Sequence, residues 1–151
     1  MKIRDMTEKD LREVSKIESE SFSDAWSEDA FKESLLNENC HMYVAASDAD
    51  DEIFGYVSVY FADDEGEIEN VCVKESVRNR GIGFSMMSKM ILKENAYGIT
   101  KFFLEVRKSN EAAKALYKKL GFTEIGIRKG FYENPREDAS VMKLLTNSGV
   151  Q

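Results

Sequence analysis

Val71-Cys72-Val73-Lys74-Glu75-Ser76-Val77-Arg78-Asn79-Arg80-Gly81-Ile82-Gly83, with the amphipathic run Phe84 to Asn95 behind it, is the stretch around which the chain is organised. It opens on apolar, β-branched residues of the kind strands favour. Two arginines and two glycines follow, and apolar residues then recur at Ile82, Met86, Met87, Met90 and Ile91 with helical spacing. The order is strand, turn, helix start. A helix N-terminus offers N–H groups without intrahelical partners and the positive end of the macrodipole, and glycine lets the backbone approach phosphate oxygens closely. The turn therefore suits a phosphate. It lacks the Gly-Lys-Ser/Thr ending of a nucleoside-triphosphate loop, and its glycines are too few and too close for a dinucleotide fold. A glycine-capped surface turn without a ligand is the plain alternative.

The 151-residue chain as a whole bounds what that turn can serve. One domain with a proper core fits this length and two do not, so residues 1–145 are expected to form a single domain with a loose tail over 146–151. No apolar run reaches a membrane span, and the first residues carry no signal core, so the expected location is the cytoplasm. Cys40 and Cys72 have no Cys-x-x-Cys spacing; they are expected to be buried thiols, and no metal is expected. The net charge of −7 hides a division: residues 1–70 hold 20 acidic and 6 basic side chains, residues 71–151 hold 8 acidic and 15 basic. The basic part contains the turn and suits a polyanion. The acidic part suits a cationic partner, although solvated surface is the better account of any single carboxylate, and overall acidity argues against nucleic acid.

Lys2 to Met6 reads as a strand, and Thr7 is placed to cap a helix with Leu11, Val14 and Ile17 on one face. Ser27, followed by Glu28 and Asp29, starts another. The connector Phe22-Ser23-Asp24-Ala25-Trp26 between them is aromatic and acidic. Met42 to Ala46, Ile53 to Phe61 and Glu67 to Val73 read as an antiparallel meander. Gly98 stops the central helix, Lys101 to Val106 is the next strand, and Asn110 opens a helix with a stripe at Ala113, Leu116, Tyr117 and Leu120 that ends at Gly121. Phe122 to Arg128 and Ala139 to Leu144 close the chain as strands.

Leu104-Glu105-Val106-Arg107-x-Ser109-Asn110-x-x-Ala113-x-x-Leu116-Tyr117-x-x-Leu120-Gly121-Phe122, taken with Arg78-x-x-Gly81-x-Gly83, resembles the GNAT superfamily of N-acetyltransferases. Within it the chain is most similar to the RimI family, which acetylates the N-terminal α-amino group of a ribosomal protein; Asp24-Ala25-Trp26-Ser27, Asn70 to Val73 and Arg136-Glu137-Asp138-Ala139 support the likeness. The resemblance implies an α/β GNAT fold: a mixed, mostly antiparallel sheet of six or seven strands flanked by about four helices, with splayed strands at the cofactor site. It implies acetyl-CoA as cofactor, held by Val71, Cys72, Val73, Arg78, Asn79, Arg80, Gly81, Ile82, Gly83 and Asn110. It implies Glu105 as general base, Tyr117 as the acid that reprotonates the thiolate, and Trp26 and Tyr132 on the side of a protein N-terminus.

Each of those residues also has an ordinary reading. Glu105 lies among Phe102, Phe103, Leu104 and Val106, which predicts partial desolvation and a raised pKa; as a strand carboxylate it could equally face water or pair with Arg107. Tyr117 fits a core stripe, and Asn110 fits an N-cap. A covalent route through Cys72 with His41 as base is weaker, because nothing in the sequence brings them together. Ala25 and Phe131 depart from the family pattern, in which a proline precedes the tryptophan and a tyrosine precedes Tyr132. Both departures are on the acceptor side, so a small amine, a lysine or a non-catalytic acyl-CoA-binding role stays open beside the N-terminal acceptor.

Overall fold

A computed structural model describes residues 1–146. In chain order the elements are β1 (Lys2–Asp5), α1 (Leu11–Ser21), α2 (Glu28–Leu36), β2 (Cys40–Ala46), β3 (Ile53–Ala62), β4 (Glu65–Val73), α3 (Ile82–Ala96), β5 (Lys101–Arg107), α4 (Glu111–Leu120), β6 (Thr123–Tyr132) and β7 (Glu137–Leu145). The strands form one sheet in the order β1-β2-β3-β4-β5-β7-β6, antiparallel throughout except between β4 and β5. Seven strands and four helices match the expected mixed, mostly antiparallel architecture. Thr146, where the tail was expected to begin, donates its N–H to Thr100 O at 2.8 Å; residues 147–151 lie outside the described residues.

Local chemistry sets the helix ends. Ser27 Oγ accepts from Ala30 N at 3.1 Å and Asn110 Oδ1 from Ala113 N at 3.1 Å, each satisfying a first-turn donor. Thr7 acts a turn earlier than expected: a short 3-10 turn over Glu8–Asp10 intervenes, and Thr7 N donates to Asp10 Oδ2 at 2.8 Å. The core divides across the sheet. On one face Met86, Met87 and Met90 of α3 and Tyr117 of α4 pack against Val57, Val59, Phe102, Leu104, Val106 and Met142. On the other, Leu11, Val14 and Ile17 of α1 and Phe31 of α2 pack against Met42, Val44, Tyr56 and Cys72. These two helices pack on β2, β3 and β4. Phe103, Glu105 and Val141, on the same face of β5 and β7, stay partly open to solvent.

One irregularity positions everything that follows. Val57 pairs with Val71 and Val59 with Ile68, so Ser58 of β3 stands opposite two residues of β4, Glu69 and Asn70. This β-bulge is pinned by buried groups: Asn70 N donates to Ser58 Oγ at 3.1 Å, and the Ser58 hydroxyl donates to Asn70 Oδ1 at 2.7 Å. A bulge bends its strand and interrupts pairing. β4 accordingly pairs with β5 only at Glu65, Gly66 and Glu67, whereas β5 continues along β7 as far as Arg107. The two strands diverge into a wedge.

Candidate active site

The wedge opens into a cleft of about 790 Å³. Of the residues singled out in the sequence, Trp26, Val71, Cys72, Val73, Arg78, Asn79, Gly81, Ile82, Gly83, Glu105, Asn110, Tyr117 and Tyr132 line it. Arg80 is exposed on the turn and does not.

At the α3 end the turn is shaped by left-handed backbone at Asn79 (φ 64°) and Gly81 (φ 78°). A Cβ at Gly81 would have nothing within 4 Å, so conformation and not room requires glycine there. The first helical bond is Ser85 N to Gly81 O at 3.1 Å, which leaves the N–H groups of Ile82, Gly83 and Phe84 without intrahelical partners. Arg78 braces the turn, with Nε donating to Val73 O at 2.8 Å and Nη2 to Ser21 Oγ at 3.2 Å. Lys119 of α4 also lines the cleft, its ammonium 4.8 Å from the centre of the Phe84 ring. Three free N–H groups with two cations beside them fit a diphosphate.

On the open face of the sheet, Arg128 Nη1 donates to Glu105 Oε1 at 3.1 Å. Arg107, the partner the sequence offered for Glu105, instead holds the β6–β7 turn. It donates to Pro135 O and Glu133 O, both at 2.8 Å, and to Glu137 Oε1 at 3.2 Å, with its guanidinium 4.5 Å over the Tyr132 ring. Hydrogen bonds from Ser109, and then Arg107, hold the Glu137 carboxyl below the usual carboxylate range. The connector between α1 and α2 meets this turn: Ser23 Oγ donates to Asn134 O at 2.6 Å and Asn134 Nδ2 to Asp24 Oδ1 at 3.0 Å.

Between the two ends stands Tyr117, 7% exposed, whose hydroxyl has no hydrogen-bond partner among the described residues. Burial pushes its pKa above the usual phenol range, so it keeps its proton at neutral pH and can serve as a donor.

Three charged residues of the cleft escaped the sequence. Glu18 of α1 is buried and accepts from Tyr56 OH at 2.7 Å and from Trp26 N at 3.1 Å, fixing the start of α2's approach. Lys119 reaches the cleft only because α4 packs beside the start of α3. Glu69, on the bulge, is pushed up to about 7 by desolvation and then by the neighbouring carboxylates of Glu67 and Glu105. Its signal was present: Glu65, Glu67 and Glu69 alternate with Gly66, Ile68 and Asn70, which puts carboxylates along one strand face. Cys72 Sγ lies 3.3 Å from Ser21 Oγ in the cleft wall, whereas His41 is bonded to Glu94 on the opposite face of the sheet, so the two do not meet.

Residues 11–122 match the acetyltransferase (GNAT) family. A Bacillus subtilis (strain 168) protein provisionally named ribosomal protein bS18-alanine N-acetyltransferase is 32% identical over 96% of this chain and 95% of its own length. The ribosomal protein bS18-alanine N-acetyltransferase of Salmonella typhimurium is 32% identical over 89% of this chain and 90% of its own. The crystal structure of the ribosomal-protein-S18-alanine N-acetyltransferase from Escherichia coli superposes with a TM-score of 0.87 at 28% identity, covering 99% of this chain and 97% of that one. With a glycine turn at a helix start, a bulged strand diverging from its parallel neighbour, and sequence kinship along nearly its whole length, the chain belongs to the GNAT family of acetyltransferases.

Proposed function

We propose that the protein transfers the acetyl group of acetyl-CoA to the N-terminal α-amino group of a protein in the cytoplasm, the acceptor being the N-terminal alanine of a ribosomal protein of the bS18 type. The observation that carries this reading is one continuous cleft, with a diphosphate-fitting turn at one end and carboxylates at the other, joined through the gap between β4 and β5. The named relatives supply the acceptor.

When bound, acetyl-CoA supplies a thioester, an acetyl group activated toward amines. The N–H groups of Ile82, Gly83 and Phe84 hold its diphosphate, with Arg78 and Lys119 beside them, Asn79 and Gly81 shaping the approach and Arg80 at the rim. Asn110 sets the start of α4 along the wall. A backbone N–H in the Val71-Cys72-Val73 segment, that of Val71 or Val73 on the edge that β5 leaves unpaired, would polarise the carbonyl, while Cys72 pairs with Tyr56 of β3. Glu105 receives the acceptor ammonium and draws a proton from it, directly or through water, and Tyr117 returns a proton to the sulfur. Trp26 and Tyr132 wall the acceptor's approach.

The magnitudes favour an α-amine. Freeing an amine of pKa about 7.8 at pH 7 costs roughly 1 kcal/mol, against roughly 4.6 kcal/mol for a lysine near 10.4. The acidic residues 1–70 favour a cationic acceptor through steering.

The test is incubation with acetyl-CoA and intact ribosomal proteins, in parallel with an alanine-led peptide, an N-terminally blocked lysine peptide and spermidine, with mass shifts assigned by residue. Acetylation should fall on an N-terminal α-amine. A preference for lysine or polyamine would overturn the acceptor, and absence of thiol release with every amine would overturn the activity. Glu105→Gln is expected to cut turnover near neutral pH and leave acetyl-CoA binding intact.

A further inference from the structure

Glu105, the proposed base, is held by a residue that does not itself line the cleft. Its side chain is 16% exposed, and among the described residues the single donor to its carboxylate is Arg128 Nη1 at 3.1 Å. Arg107, two residues along the same strand, is spent on the β6–β7 turn. Arg128 belongs to the edge strand β6, where it pairs with Ala139 of β7, while Glu105 pairs with Val141 of that same strand. Neighbouring strands lie about 4.8 Å apart, so Arg128 reaches across β7 over roughly 10 Å from backbone to backbone. Ala139, small and fully buried, leaves the way clear.

A second contact fixes the guanidinium from another side. It lies 4.8 Å from the centre of the Phe131 ring, and that ring meets Tyr132 edge-on at 5.0 Å. Arg128 is thus gripped by a carboxylate and by an aromatic face, although its side chain is 58% exposed. An ion pair so exposed contributes little to stability, so stability alone does not explain why two contacts converge on it. A glutamate side chain left to itself scatters its carboxylate over several rotamers. The guanidinium bond to Oε1 removes that freedom and leaves Oε2 without a donor.

We propose that Arg128 is a positioning residue for acetyl transfer: it pins Glu105 Oε1 from outside the cleft so that Oε2 meets the acceptor ammonium, and Phe131 holds Arg128 in place. The assignment deepens the acetyl-transfer reading and rests on it. An N–H bond of the ammonium breaks and an O–H bond forms at Glu105 Oε2. Arg128 keeps its protons throughout, because a guanidinium does not titrate in the working range.

The experiment measures kcat and KM for one alanine-led peptide, acetyl-CoA affinity by calorimetry, and melting temperature. The proteins are wild type, Arg128→Ala, Arg128→Lys, Phe131→Leu, Phe131→Tyr, Glu105→Gln, and Arg128→Ala combined with Glu105→Gln. Arg128→Ala should lower kcat about 10- to 100-fold, as misplacing a reacting group by about 1 Å does. The peptide KM and the acetyl-CoA affinity should hold, and the melting temperature should move by no more than about 2–4 °C. Arg128→Lys keeps the charge but loses the planar fork and its stacking, and should recover part of kcat. Phe131→Leu should cost about 2- to 5-fold in kcat, and Phe131→Tyr, which keeps a ring, should recover most of that. On top of Glu105→Gln, Arg128→Ala should take nothing further from the residual turnover, the mark of a residue that acts through Glu105. An active wild type whose kcat survives Arg128→Ala would overturn the role of Arg128 and leave acetyl transfer standing. So would an equal loss in the Glu105→Gln background, or a lower peptide KM at unchanged kcat, which would make Arg128 a rival of the acceptor for Glu105. A wild type inactive on every amine would overturn both.

Discussion

Two buried glutamates, Glu18 of α1 and Glu94 of α3, solve the same physical problem on opposite faces of the sheet. Glu18 is 3% exposed and Glu94 0%. Each accepts from a tyrosine rooted in the sheet, Tyr56 OH at 2.7 Å and Tyr43 OH at 2.6 Å, and each has a second donor, Trp26 N at 3.1 Å for the one and His41 Nδ1 at 2.8 Å for the other. A carboxylate so deep is tolerated because its oxygens are bonded. Burial, followed by nearby negative groups that include these carboxylates, pushes both phenols above their usual range, so both tyrosines remain donors. The nodes differ in what the second donor belongs to. His41 sits on a strand and is closed over by Phe61 and Tyr97, with ring centres at 4.4 and 4.7 Å, away from the cleft. Trp26 N belongs to a connector that walls the cleft. A buried carboxylate thus marks a site only where it fixes something a ligand meets.

Glu94→Ala should produce the largest loss. It strips Tyr43 and His41 of their acceptor inside the core and opens a cavity, at a cost of about 3–5 kcal/mol, measurable by urea denaturation. Turnover per folded molecule and acetyl-CoA affinity should stay at wild-type values; a folded Glu94→Ala protein with impaired turnover would give the far node a part in function. Glu18→Gln keeps the shape but puts an amide NH₂ where one of two donors needs an acceptor, costing about 1–3 kcal/mol. Here the peptide KM should rise several-fold while acetyl-CoA affinity holds, and an unchanged KM would reduce Glu18 to a strut like Glu94. The hydroxyl deletions Tyr56→Phe and Tyr43→Phe form a matched pair, each costing about 1–2 kcal/mol; the first leaves Glu18 Oε1 unpaired, whereas Glu94 keeps His41 Nδ1 within reach of both its oxygens. Steady-state kinetics should separate them, with the KM shift confined to Tyr56→Phe.

The same contrast explains what could be read from the sequence. The phosphate turn is largely a local object: strand, turn and helix start follow within thirteen residues and supply the N–H groups, and only the Ser21 brace on Arg78 and the Lys119 ammonium come from elsewhere in the chain. Ser27 and Asn110 start their helices, and Gly98 and Gly121 stop theirs, as expected for the same reason. The acceptor side is assembled from far-apart segments. Glu105 was weighed against Arg107, two residues along the strand, but its partner Arg128 comes from a strand two places away in the sheet, beyond β7. β6 and β7 also run further than their hydrophobic pattern suggests. Tyr132 pairs with Glu137, and Gly130 N donates to Asp138 Oδ1 at 2.9 Å, so polar and backbone bonds carry the strands past their apolar residues. Glu69 reads as one of three carboxylates on a solvated strand face until β5 turns away from it, and only the bulge opposite Ser58 makes it turn.

The two ends of α3 supply the smallest and cleanest comparison. Gly81 at its start has φ 78° and Gly98 just past its end has φ 89°, and a Cβ at either would meet nothing within 4 Å. Alanine therefore costs the same at both, the strain of a left-handed backbone, about 1 kcal/mol. Thermal melts should show two nearly equal losses. Acetyl-CoA titration calorimetry should not: Gly98 is exposed at the far end of the helix, whereas Gly81 lines the cleft, and a methyl group there strains the turn that aims the Ile82, Gly83 and Phe84 N–H groups. Affinity should fall several-fold for Gly81→Ala and stay level for Gly98→Ala. Equal affinities would mean that the open space at Gly81 is not where the diphosphate lies, because two glycines alike in strain and in room differ only in which end of the helix dipole they guard.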